Sequence, residues 1–188
     1  MELPKRKKIR LPGYDYSQKG AYFITVCTKD KARLLGEIVG QGLCSCRLTD
    51  MGEIARQEIE KISERFPCAF VDKYVIMPNH FHMILLLDAK RQEQSPCPTV
   101  GDVMCALKSI STRKANIADN TPGRKIWQFR FYDHIIRSEQ DYQEISQYIE
   151  ENPQRWNEDR FRQNACADAS YTSQSFAIGI LCSTAETA

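Results

Sequence analysis

Residues 74–87 read Tyr-Val-Ile-Met-Pro-Asn-His-Phe-His-Met-Ile-Leu-Leu-Leu, two apolar runs split by a single Pro-Asn break. A proline cannot donate to a strand ladder, and Pro78-Asn79 is too short for anything but a tight connection, so the two runs are expected to form adjacent strands. The second run, His80 to Leu87, is apolar at successive positions, which fits only a strand buried on both faces. A chain that carries such a strand must build a sheet with cover on both sides.

His80 and His82 open that strand, and they are two of only three histidines in 188 residues. Side chains at i and i+2 leave a strand on the same face, so the two imidazoles can converge on one metal ion or phosphate. A pair of histidines hydrogen-bonded within a core or at a strand end has the same spacing, and the spacing alone does not separate the two readings.

The length fits one domain with appendages, and 42% apolar with 27% charged residues is ordinary for a globular protein. No apolar run reaches the length of a membrane span, and Met1-Glu2-Leu3-Pro4-Lys5-Arg6-Lys7-Lys8 lacks the apolar stretch of a signal peptide; a cytoplasmic location without membrane contact is the expectation. The eight cysteines are scattered with no Cys-x-x-Cys pair, and they are read as reduced thiols. Cys44-Ser-Cys46 has no second pair to complete a zinc site, so a surface loop is expected there.

The net charge of +2 hides a local excess. Residues 105–137 hold seven basic side chains (Lys108, Arg113, Lys114, Arg124, Lys125, Arg130 and Arg137) against Asp119 and Asp133. The first ten residues add Lys5, Arg6, Lys7, Lys8 and Arg10 against Glu2. Such excess suits a polyanion such as nucleic acid, although a solvated basic face is the commoner meaning of a charge run.

After a Pro12-to-Tyr16 loop, Ala21 to Thr28 is aromatic and β-branched enough for a first strand, and Leu34 to Val39 for a second. Thr49 and Asp50 can cap a helix with Met51, Ile54, Ala55, Ile59, Ile62 and Phe66 at helical spacing, ending before Pro67. A second amphipathic helix places Val100, Val103, Met104, Leu107 and Ile110 on one stripe. A strand near Asp133 to Arg137 follows, then a helix capped by Ser138 and closed near Asn152 by Pro153. This order predicts an α+β fold: an antiparallel sheet covered by helices, close to the split β-α-β plan of ferredoxin-like folds, with one further helix at the C-terminal end.

That last helix presents Tyr148 and Asn152 four residues apart, hence on one face. If it packs beside the histidine strand, the set becomes two imidazoles, an amide oxygen and a phenol. Met77-Pro78-Asn79-His80-Phe81-His82 resembles the histidine-hydrophobic-histidine motif of the HUH single-strand nucleases. Tyr148-Ile149-Glu150-Glu151-Asn152-Pro153 resembles the nucleophile helix of their single-tyrosine, IS200-like transposase branch. The segments at 11–16, 129–137 and 152–156 narrow the resemblance to the REP-associated tyrosine transposases, over about residues 9–161.

Charge and composition set off a basic arm and loop (1–20) and an Ala-, Ser- and Thr-rich, loosely ordered tail (162–188) from what the resemblance implies is an HUH catalytic domain (21–161). It implies that His80, His82 and Asn152 hold a divalent cation, Mg²⁺ or Mn²⁺, and that Tyr148 attacks single-stranded DNA to leave a 5′-phosphotyrosine. The implied partner is an imperfect palindrome folded into a hairpin, bound by a monomer or a homodimer. Lys5, Arg6, Lys7, Lys8, Arg10, Lys108, Arg113, Lys114, Arg130 and Arg137 are the candidate DNA contacts. Tyr132 and Tyr142 are rival phenols read as packing or DNA-contacting residues, and His134 as a satisfied polar residue. Trp127, Phe129 and Phe131 can stack bases or fill core. A hairpin-binding module that does not cut, and a phosphoesterase that uses water, are the alternatives.

Overall fold

The computed structural model describes residues 19–39, 46–88 and 97–156. The basic cluster at Lys5 to Arg10, the 12–16 loop, Cys44 and the 162–188 segment lie outside the described residues. The elements in chain order are β1 (Gly20–Cys27), a short 3-10 turn (Lys29–Lys31), β2 (Gly36–Ile38), β3 (Cys46–Leu48), α1 (Asp50–Glu60), α2 (Ile62–Arg65), β4 (Ala69–Met77), β5 (His80–Leu87), α3 (Val100–Ala118), β6 (Tyr132–Ile136) and α4 (Glu139–Glu151).

Four strands form one sheet in the order β4-β5-β1-β6, every neighbouring pair antiparallel. This is the expected ferredoxin-like strand order with helices packed on the sheet. The apolar run at 80–87 is central, flanked by β1 and β4, and Met77 pairs with His80 across the Pro78-Asn79 turn. Neither turn residue has a positive φ. The turn is held from outside: Leu35 N–H donates to Pro78 O at 2.9 Å, and Thr28 N–H to Asn79 O at 2.9 Å.

Period-two alternation sorts the sheet into two faces. Tyr22, Ile24, Val26, Phe81, Met83 and Leu85 point to one side, where Met51, Ala55, Ile59, Ile62, Val103, Met104 and Leu107 from α1, α2 and α3 close the larger core. Phe23 and Ile84 point to the other, where Ile145 and Ile149 of α4 cover them. Caps start the helices where polar residues allow: Thr49 accepts from Gly52 N–H, Thr99 and Asp102 form a reciprocal capping box, and Ser138 accepts from Asp141 N–H. Gly52 is required by close approach, since a Cβ there would lie 1.9 Å from Leu35 O.

Three details differ from the sequence reading. The helix expected over 51–66 breaks at Lys61, whose φ of −84° and ψ of 5° end α1 before the short α2 turns the chain toward β4. The residues after Ile38 supply a partner strand: β2 pairs with β3 as a separate ribbon, with Glu37 opposite Arg47 and a 3.1 Å ion pair between them. On α3 the stripe passes through Ser111 and Ala115, and Ile110 is only half-buried. Ser111 is there as the acceptor for the Trp127 indole N–H at 2.9 Å.

Candidate active site

Both histidines lie on the α4 face of β5, at the start of the strand, and are essentially wholly buried. Each ring is fixed through Nδ1. Asn79 Oδ1 lies 2.8 Å from His80 Nδ1, while the Asn79 amide nitrogen donates to Lys31 O at 3.2 Å. With the amide nitrogen donating, the oxygen accepts; His80 therefore carries its proton on Nδ1 and turns a lone pair outward at Nε2. Thr25, directly across from His82 in the β1–β5 register, places its hydroxyl 2.8 Å from His82 Nδ1.

The two Nε2 atoms face each other at 3.0 Å. At this distance the two nitrogens share a hydrogen bond; with their rings braced from behind they could also both turn to one cation, the far nitrogen's partner then setting ring orientation and basicity. Phe23 stacks on the His82 ring at 5.3 Å and Trp156 on the His80 ring at 6.2 Å, so both rings are also confined from their faces.

α4 brings the phenol. Its apolar stripe, Ile145 and Ile149, docks on Phe23 and Ile84, and this sets Tyr148 Oη 3.4 Å from His82 Nε2. Two ties hold α4 to the edge strand: Tyr142 Oη donates to Asp72, which sits at the register shift in β4, and Lys73 pairs with Glu150. The Asp72 carboxylate raises the Tyr142 phenol above its ordinary range, so Tyr142 is held protonated. Tyr132 lies across from Thr25 and meets Phe23 edge-on at 6.5 Å. His134 is engaged with the Asp141 carboxylate at 3.1 Å.

Asn152 follows one turn after Tyr148. Proline at 153 disfavours helical backbone at the preceding residue, yet Asn152 keeps φ −53° and ψ −42°. The chain continues as turns in which Gln154 and Arg155 N–H bond to Glu151 O, carrying Trp156 onto His80. Asn152 is 3% exposed and its Oδ1 is a buried acceptor with no hydrogen-bond partner among the described residues. A buried amide oxygen left without a donor is costly, and a bound water or a cation would satisfy it. No three His, Cys, Asp or Glu side chains converge among the described residues, so a cation bound by the histidines would need a donor such as this amide. Were the Asn152 oxygen to join the two imidazole nitrogens, the three donors would suit a borderline divalent ion such as Mn²⁺, and Mg²⁺ less closely.

The basic candidates divide. Lys114 pairs with the fully buried Glu58, which also takes a 2.9 Å bond from Arg65. Lys108 is half-buried, its ammonium donating to Gln128 O and to Phe129 O at 2.9 Å, and burial lowers its pKa. Arg113, Arg130 and Arg137 have exposed side chains. The cysteines at 27, 46, 68, 97 and 105 are free thiols, with Cys97 Sγ 3.0 Å from Cys68 Sγ. The sequence reading did not single out Thr25, Phe23, Asn79 or Trp156 for roles at the site. Asn79 is next to His80 in the chain; Thr25 and Phe23 become neighbours only through strand register. Among the described residues no helix is long and apolar enough to cross a membrane.

No family model matches the chain. The fold is similar to that of a REP-associated tyrosine transposase solved bound to a REP hairpin, with a TM-score of 0.48 and 24% identity over 81% of this chain and 73% of that one. It is also similar to that of a Deinococcus radiodurans protein assigned as a transposase, with a TM-score of 0.45 and 20% identity over 75% of this chain and 95% of that one. In sequence, an uncharacterized protein from Haemophilus influenzae is 34% identical over 170 residues, covering 82% of this chain and 92% of that protein. At that identity and coverage the chain belongs to the same family as the Haemophilus influenzae protein.

Proposed function

We propose that the chain is a REP-associated tyrosine transposase, a single-strand DNA endonuclease and strand transferase that nicks through Tyr148. The observation that carries this reading is the meeting of two distant motifs: Tyr148 Oη lies 3.4 Å from His82 Nε2, which in turn lies 3.0 Å from His80 Nε2. A buried histidine pair alone has a structural explanation. A half-buried phenol delivered beside it by a helix from a different part of the chain calls for a chemical one.

His80, His82 and Asn152 are the residues that would hold a divalent cation, Mg²⁺ or Mn²⁺. When bound, such an ion stabilises charge on the scissile phosphoryl oxygens and favours the phenolate over a phenol with an ordinary pKa near 10. Asn79 and Thr25 hold the imidazoles in the orientation this needs. Tyr148 Oη then attacks phosphorus in line, the bond from phosphorus to the 3′ oxygen breaks, and the leaving 3′ oxygen takes up a proton. The phosphotyrosine keeps the energy of the phosphodiester, so the 3′-OH can reverse the step or another can take its place. No nucleotide cofactor is needed. A hairpin like that bound by the solved transposase is the partner proposed here, on the strength of the motifs at 11–16, 77–82 and 129–156.

The test is covalent capture. Wild-type protein incubated with labelled hairpin DNA and Mg²⁺ or Mn²⁺ is expected to give a denaturation-resistant adduct, lost in Tyr148→Phe. His80→Ala and His82→Ala are expected to abolish the adduct while largely keeping hairpin binding. Cleavage without an adduct would replace this reading with a hydrolase that uses water, and binding without cleavage would replace it with a regulatory DNA-binding module.

A further inference from the structure

Cys68 and Cys97 are 29 residues apart in the chain and meet at the end of the sheet away from His80. Cys68 precedes β4, whose first residue, Ala69, pairs with Leu87 at the end of β5; His80 pairs with Met77 at the other end of the same two strands. Cys97 stands two residues before Thr99, the N-cap of α3. The Cys97 thiol donates to Cys68 Sγ at 3.0 Å, and both cysteines are reduced.

Both backbones are held in place. Ala69 N–H donates to Phe66 O at 2.8 Å and Asp88 N–H to Cys68 O at 2.8 Å, which fixes the chain on either side of the Cys68 side chain. Pro98 steers Cys97 to extended backbone, and the Thr99–Asp102 capping box with the wholly buried Val100 anchors the residues just beyond it. A disulfide bond is about 2.0 Å long, so the two sulfurs need only about an ångström of side-chain movement to join. Exposure divides the roles: Cys68 is wholly buried and Cys97 is partly exposed, so an oxidant from solution meets Cys97 first. Burial, then the hydrogen bond to Cys68, pushes the Cys97 thiol up to about 12. Little of it is thiolate at neutral pH, so exchange there runs over hours rather than seconds.

We propose that Cys68 and Cys97 are a redox modification site, which closes to a disulfide by exchange with a low-molecular-weight disulfide and staples the start of β4 to the cap of α3. The Cys97 thiolate attacks one sulfur of the small disulfide, forming a mixed disulfide and releasing one small thiolate. The Cys68 sulfur then attacks Cys97 Sγ, and the second small thiolate leaves. Two protein thiols are oxidised, one small disulfide is reduced to two thiols, and the two protein protons pass to the leaving groups. The crosslinked loop contains both β4 and β5, so the bond removes conformational freedom from the unfolded chain. Neither the pair nor its chemistry depends on the function proposed above.

The experiment incubates the reduced full chain overnight with oxidised glutathione at mildly alkaline pH, blocks the remaining thiols with iodoacetamide in denaturant, and maps the peptides by mass spectrometry. Peptides joined through Cys68 and Cys97 are expected, with the thermal midpoint raised by about 5–15 °C and both changes reversed by dithiothreitol. Cys97→Ser is expected to unfold like the reduced wild type and to show no rise after oxidation. Cys68→Ala is expected to stop at a glutathione mixed disulfide on Cys97, which marks Cys97 as the thiol that reacts first. Recovery of Cys68 and Cys97 as alkylated thiols, in a wild-type sample whose exposed Cys105 has taken up glutathione, overturns the proposal. So does a wild-type Cys97 that keeps its glutathione because Cys68 never displaces it. A Cys68–Cys97 link that leaves the thermal midpoint unmoved overturns the staple, since the bond then constrains nothing that unfolding releases.

Discussion

The two faces of the four-stranded sheet use the same strands and are built by different rules. On one, Phe81, Met83 and Leu85 meet Ile24, Val26 and three helices in a mainly apolar core, with Ser111 and Glu58 the buried polar groups on the helices that cover it. On the other, residues one position away in sequence, His80, His82 and Thr25, form a buried polar set closed by α4 and by Trp156 just beyond it. The first face gains free energy from area removed from water and gives the chain no chemistry. The second holds its polar groups out of water only because each is matched: Asn79 with His80, Thr25 with His82, and on the proposal above a cation with Asn152. On that proposal, stability and reactivity are separated by the parity of residue number along β1 and β5.

The largest expected effect breaks the apolar face. Phe81 is wholly buried and packs edge-on against Trp127, so Phe81→Ala is expected to lower unfolding free energy by about 4 kcal/mol, measured by urea titration. Tyr148→Phe, which removes one oxygen from a half-buried residue on the other face, is expected to cost less than about 1 kcal/mol. Equal costs would show that both faces are structural and that the division between them is false.

A smaller effect lies under the apolar face, where Glu58 joins Lys114 and Arg65. Burial pushes its carboxyl upward, but the hydrogen bonds and charges of Lys114 and Arg65 outweigh this and leave the pKa below the usual 4.5. A carboxylate with a depressed folded-state pKa contributes stability that is complete above its unfolded value. That contribution is lost as pH falls below about 4.5 and through the lower folded value. Glu58→Gln is expected to cost about 2 kcal/mol at neutral pH, moderated because both partners reach solvent, and to flatten the acid limb of a stability–pH curve measured from pH 7 to 3. An unchanged acid limb would assign the acid sensitivity to other carboxylates.

Much of the fold was legible because the signals are local. The unbroken apolar run at 80–87 marked the central strand, and the helical spacing with caps at Thr49 and Ser138 marked α1 and α4. The placing of His80, His82 and Tyr148 on interacting elements was legible through the motifs they belong to. What the chain order hides is pairing. That Thr25 lies across from His82 depends on strand register, and that Lys114 meets Glu58 depends on how α1 and α3 pack; a basic run read along the sequence does not distinguish Lys114 from the exposed Arg113. The break at Lys61 was hidden as well, because the apolar positions keep helical spacing through it.

Thr25 gives the finest test of the two-face division. It is 3% exposed, and valine has nearly its shape, so Thr25→Val keeps packing while removing the hydroxyl that meets His82 Nδ1. If the polar face is tuned for a cation, His82 becomes free to take either tautomer. Loss of such a partner behind a metal-binding imidazole typically costs about ten- to hundredfold in metal affinity or activity. Titrating Mn²⁺ into the adduct assay is therefore expected to show a midpoint raised about tenfold, with the urea midpoint of Thr25→Val equal to or above wild type. If the metal demand does not move, the Thr25–His82 bond serves only to satisfy a buried imidazole, and the second face is closer in kind to the first than its residues suggest.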